Sequence, residues 1–150
     1  MTPMALVLVQ LIVTCGMTAV IWFVQVAHYP LHLLVPESVF LQYQKSHLLR
    51  VTFIVGPLML VESVVASWLL FLSLPDLLGV LAWSGFVLIL LLWISTACLQ
   101  VPCHRILEHE HDPDTIRRLV ATNWVRTILW SARSVIAVVM MVMVVCDSSV

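Results

Sequence analysis

LLGVLAWSGFVLILLLWISTACLQV, residues 77–101, runs for 25 positions without one Asp, Glu, Lys or Arg. A helix needs about 20 apolar residues to cross the hydrocarbon core of a bilayer, and this run exceeds that length. Three more runs surround it. Met4–Ala27 is uncharged, Val51–Leu74 carries only Glu62, and Thr127–Cys146 carries only Arg133. Lipid offers the backbone no hydrogen-bond partners, so runs this continuous suit helices rather than the alternating strands of a barrel. The expected fold is an all-α integral membrane four-helix bundle, one domain over residues 1–150. Its helices are expected at about 4–27, 47–72, 77–101 and 114–146, with both termini on the same, outer side.

Composition points the same way. Of 150 residues, 62% are hydrophobic and 10% charged, a balance that leaves a soluble domain too little charged surface. The net charge of −1 gives no reason to expect a nucleic-acid partner. Met4–Ala27 has no basic region before it and no small-residue cleavage site, and reads as a retained helix rather than a secretory signal. Cys15, Cys98, Cys103 and Cys146 form no CxxC pair and are expected as buried free thiols. No internal repeat emerges from this reading.

All seven Lys and Arg lie in, or in the helices beside, the connections at residues 28–46 and 102–118. The excess of positive charge predicts that this side is cytoplasmic, in a membrane of bacterial cytoplasmic type. Pro36-Glu37 and Asp112-Pro113-Asp114 are helix-start signals within those connections.

Depth follows from residue number at about 1.5 Å per residue. His28, His47, His104 and Asn123, one from each helix, arrive at one level near the cytoplasmic end. Gln25, Arg50, Gln100 and Arg126 follow one layer deeper, and only Glu62 and Arg133 are charged near mid-membrane. An isolated charge there costs a few kcal/mol even on the lenient insertion scale, so Glu62 and Arg133 are expected to pair across helices 2 and 4. That pair is either a structural lock or part of a relay.

Three imidazoles at one level fit zinc, copper or iron and leave a position for water or substrate. His28, His47 and His104 are therefore the candidate metal ligands, with haem as the less favoured cofactor. Asn123, Arg126, Glu62 and Arg133 are the candidate catalytic residues; Gln25, Gln100 and Trp124 are candidate cofactor contacts. Glu108-His109-Glu110-His111 reads as a solvated loop, with metal binding as the alternative. His32 carries no specific signal.

His-Tyr-Pro (28–30), Phe40, Tyr43, His47 and Gly-Pro-Leu-Met-Leu-Val-Glu (56–62) form one half of a layout. Val-Pro-Cys-His (101–104) and Asn-Trp-Val-Arg-Thr (123–127) form the other. The whole resembles the anthrone-oxygenase-like group of small four-helix membrane proteins. The resemblance implies an oxidase or oxygenase for a lipophilic, often aromatic, substrate, and touches His104, Asn123, Trp124 and Arg126. His104 stands where an asparagine-like residue is expected, and His47 and Glu62 are additions; both departures favour a metal.

Three functions stay open at this point. The first is a membrane oxidoreductase for a lipophilic small molecule at the histidine layer. The second is a non-enzymatic haem or metal carrier. The third is a proton-transport or interaction subunit, which would need to act as a homo-oligomer.

Overall fold

The structure, a computed structural model, describes residues 2–147 (for Asp76 the backbone alone). Four helices long and apolar enough to cross a membrane make up the fold: α1 (Pro3–Leu34), α2 (Glu37–Leu70), α3 (Leu77–Leu107) and α4 (Pro113–Asp147). Each helix packs on its neighbour in sequence, and α4 closes the ring against α1 in the most extensive contact of the bundle. The diagonal pairs, α1 with α3 and α2 with α4, share no comparable contact. This is an up-down-up-down arrangement. Strands are absent among the described residues.

The helix ends follow local chemistry. Thr2 accepts a hydrogen bond from the Ala5 N–H ahead of Pro3, a side-chain cap with proline in the first turn. Asp112 caps α4, its carboxylate accepting from the Thr115 hydroxyl at 2.5 Å and the Asp114 N–H at 3.0 Å. These bonds hold the Asp112 carboxyl below its usual range.

The helices are longer than expected from the apolar runs. α1 continues to Leu34, α3 to Leu107, and α2 already begins at Glu37. The two long connections shrink to Val35-Pro36 and residues 108–112. α1 and α3 continue because each contains one wide turn. Over Val24–His28 the Tyr29 N–H reaches back to the Val24 carbonyl; over Thr96–Gln100 the Val101 N–H reaches the Thr96 carbonyl. Both are π-turns, and a proline follows each at once, Pro30 and Pro102. Proline has no N–H to give the carbonyl four residues back, and a widened turn spares the helix a break there.

These two segments are copies of one pattern. π-turn, then Tyr29-Pro30-Leu31-His32; π-turn, then Val101-Pro102-Cys103-His104: each element lies 72 positions after its counterpart. The next helices add His47-x-x-Arg50 and Asn123-x-x-Arg126 at similar depth. The two halves thus share a local pattern, a π-turn followed by x-Pro-x-His.

Three apolar clusters stack along the axis. Leu6, Val7, Leu69 and Met140 belong to the one nearest the termini; Met17, Met59, Leu92 and Trp130 to the middle one; Phe40, Leu107, Ile116 and Leu119 to the one nearest the α1–α2 and α3–α4 connections. Large apolar side chains such as Phe53, Phe71 and Ile128 point outward, as lipid contact demands. The cysteines are free, but only Cys103 is buried; Cys15, Cys98 and Cys146 lie on the outer surface. A thiol is apolar enough for lipid, so the expectation of burial did not follow.

Between the first two clusters sits the charged pair. Glu62 Oε1 accepts from Arg133 Nε and Nη2, both at 2.8 Å, and from the Thr14 hydroxyl at 2.7 Å. Gln10 presents its amide oxygen to Arg133 Nη1 and Nη2. Both ionic side chains are wholly buried. The pair spans the open diagonal from α2 to α4, and Gly85 of α3 leaves space for the guanidinium. All four helices thus meet at one ion pair.

Candidate metal centre

Buried positions run along one face of α1 at intervals of three or four residues, from Gln10, Thr14, Met17 and Ile21 on through Gln25, Tyr29 and His32. The π-turn lies within this stretch, and α1 continues past it to carry His32 into the interior. His28 stands at the edge of the interface and His32 is fully buried.

His28, His32 and His47 form one group, offering ring nitrogens that all lie within 4.8 Å of one another. The rings are mutually close, with centroids 4.5 Å apart for His28 and His47, and 5.0 Å for His32 with each of them. His28 Nε2 and His47 Nδ1 are 2.8 Å apart and share a hydrogen bond.

The hydrogen bonds prepare His32 as a ligand. Its Nδ1 lies 3.2 Å from the His28 carbonyl, which can only accept, so Nδ1 carries the proton. The lone pair is then on Nε2, which is buried and has no partner. Holding one nitrogen by a backbone carbonyl so that the other is free is how metal-bound histidines are usually oriented. His47 Nε2 is likewise buried without a partner. These two orphaned acceptor or donor positions, on rings already gathered, are what a cation would satisfy. A metal fits this donor set; three imidazoles suit zinc, copper or iron.

The group differs from the expected His28, His47 and His104. His104 lies nearby, its ring centroid 6.1 Å from His47, but both its nitrogens are engaged. Gln44 Nε2 donates to its Nδ1 at 3.0 Å, and its Nε2 then donates to the Tyr29 hydroxyl at 3.3 Å. His32 takes its place in the cluster. A haem held between His28 and His47 does not suit this arrangement, because the rings touch rather than face across a gap.

Outside the trio, an apolar groove of about 750 Å³ runs between α1 and α2 and is open along its side. Phe23, Val24, Val51 and Ile54 line it, and His28, Tyr43, His47 and Arg50 stand around it. Inside the bundle a smaller cavity of about 210 Å³ reaches His104, Gln100 and Arg126. Val20, Val24 and Val51 line both spaces and form the wall between them. The single layer expected from depth counting is therefore two compartments.

The remaining candidates are placed as follows. Asn123 is fully buried and donates to Gln25 Oε1 at 2.8 Å, while Gln25 Nε2 donates to the Val120 carbonyl at 3.2 Å. Gln100 lines the inner cavity and accepts from Ser95 at 3.4 Å. Glu62 and Arg133 lie far along their helices from the histidines, behind the middle apolar cluster. Trp124 faces outward, edge-on to Trp22 with centroids 5.7 Å apart, and borders neither space. Its interfacial setting suits an amphipathic ring anchored at the membrane surface. Glu108–His111 forms no comparable ligand group among the described residues. The signal that would have pointed to His32 is Pro30: a proline four residues before the end of a helix-compatible run demands a local change of register.

Compared with known protein families, curated proteins and solved structures, the chain matches none.

Proposed function

We propose that this chain is a membrane oxidoreductase that acts on a lipophilic small molecule at a transition-metal centre held by His28, His32 and His47. One observation carries the reading: three imidazoles are gathered, two with unpartnered buried nitrogens, and two of them, His28 and His47, line an apolar groove open along its side. Copper or iron bound there would supply electron transfer and the activation of dioxygen, the oxidant an oxygenase requires. The protein's own part is to bind and to orient. Phe23, Val24 and Ile54 receive an apolar body from the membrane, and Tyr43, stacked on His47 at 6.2 Å, bounds the far end of the groove. The clustering of Lys and Arg at this end of the bundle supports a cytoplasmic position for it.

The test is to purify the protein in lipid nanodiscs, load it with copper or iron, and measure metal content, absorption and oxygen uptake with lipophilic aromatic substrates. The reading expects about one metal per chain. It also expects substrate-dependent oxygen uptake that is lost when His28, His32 and His47 are replaced together. Metal content unchanged in the triple variant would sink the assignment. Metal bound without any oxygen uptake would make the protein a carrier.

A further inference from the structure

The inner cavity holds a buried cation that no acid neutralises. Arg126 is 6% exposed, and its one side-chain partner is Asn123 Oδ1 at 3.4 Å. Among the described residues no carboxylate pairs with it; Glu62 is engaged by Arg133. Its Nε is buried without a partner. A charge left in this state is costly wherever water is excluded, so its persistence calls for a counter-charge.

The neighbours are donors as well. Gln100 Nε2 lines the same cavity, buried and unpartnered. Tyr29 accepts from His104, which leaves its own O–H free to donate. Arg126, Gln100 and Tyr29 therefore offer hydrogen bonds to one space in which, among the described residues, no carboxylate stands to receive them. Besides Thr52, Thr96 and His104, the rest of the wall is apolar, with Ile21, Val55, Met59 and Trp93 among it. An apolar cavity of about 150 Å³ is enough to hold benzene, so 210 Å³ admits one ring and a small substituent.

We infer that the inner cavity binds a single-ring aromatic molecule carrying an ionised oxygen, a phenolate or carboxylate, with Arg126 as its counter-ion. Asn123, fixed by Gln25, orients the guanidinium from behind, and Tyr29 and Gln100 complete the set of donors. This site is separate from the histidine trio and does not rest on the metal reading.

The test uses full-length protein in nanodiscs of zwitterionic lipid, titrated with 4-nitrophenolate and with its uncharged counterpart nitrobenzene. The wild type binds the phenolate at least tenfold more tightly, and Arg126→Gln abolishes that preference while nitrobenzene affinity stays. Equal affinity for both probes in the wild type overturns the inference, as does a preference that survives in Arg126→Gln. Should that variant not fold, Gly56→Leu serves: a Cβ at Gly56 meets only Thr52 Cγ2 at 4.0 Å, and a larger side chain fills the cavity. Loss of phenolate binding in Gly56→Leu supports the site, and undiminished binding refutes it. Benzoate in parallel sorts carboxylate from phenolate, since the tighter binder names the class.

Discussion

Gly85 of α3 stands against the guanidinium of Arg133, so close that a methyl group at position 85 would occupy the same space. Glu62 holds Nε and Nη2 of that guanidinium and Gln10 holds Nη1 and Nη2, leaving it no route of retreat that keeps its hydrogen bonds. Gly85→Ala is expected to destabilise the fold by about 1–3 kcal/mol, the usual range for overpacking. Gly16→Ala, with nothing within 4 Å, should be neutral or slightly stabilising. Thermal unfolding in detergent compares the two; equal effects would mean that Arg133 is not confined by α3.

Removing one member of the buried pair should cost much more than removing both. Glu62→Ala leaves the Arg133 charge uncompensated and is expected to cost about 3–5 kcal/mol. Replacing Glu62 and Arg133 together by methionine should recover most of that loss. Denaturation of both variants measures the difference. Metal content in the double variant should match the wild type, since the pair lies behind an apolar cluster from the histidines.

His32 and His104 should separate cleanly in a metal titration. His32→Ala removes a ligand and is expected to lower affinity by more than about a hundredfold, the upper range for outer residues. His104→Ala, whose two nitrogens are held by Gln44 and Tyr29, should leave metal affinity within a few-fold of wild type. Elemental analysis after dialysis against a weak chelator gives the answer. The reverse ranking would restore His104 to the metal set.

Pro30→Ala should raise stability and lower metal affinity in the same protein. Alanine restores an N–H and a better helix former, by up to about 3 kcal/mol for an interior proline. With the missing donor returned, α1 can revert to ordinary spacing, which rotates the segment after the turn by roughly 100° and disturbs the gathered rings. Thermal unfolding and metal titration on one preparation check both signs. A fall in both quantities would mean that the π-turn does not depend on Pro30.

The spans were legible because lipid imposes one rule on every position, and runs such as Leu77–Val101 state it without exception. The pairing of Glu62 with Arg133 was legible for the same reason, since either charge alone is too costly at that depth. The make-up of the histidine cluster was not. Ending the first helix with its apolar run at Ala27 leaves His32 in a loop, whereas α1 continues to Leu34 and carries His32 into the interior. Depth counting also merged two compartments, because it fixes a side chain's level but not which side of a valine wall it faces. The donor excess around Arg126 lies in unmatched hydrogen bonds, which spacing alone does not reveal.

The apolar cluster of Leu6, Val7, Val65, Leu69, Leu78, Ala82 and Met140 closes the bundle at the end that carries the termini. The buried Glu62–Arg133 pair therefore lies between two apolar layers, this one and the cluster of Met17, Met59, Leu92 and Trp130. Its charges are enclosed by hydrocarbon along the axis on both sides, which makes each of them dependent on the other for its place in the bundle.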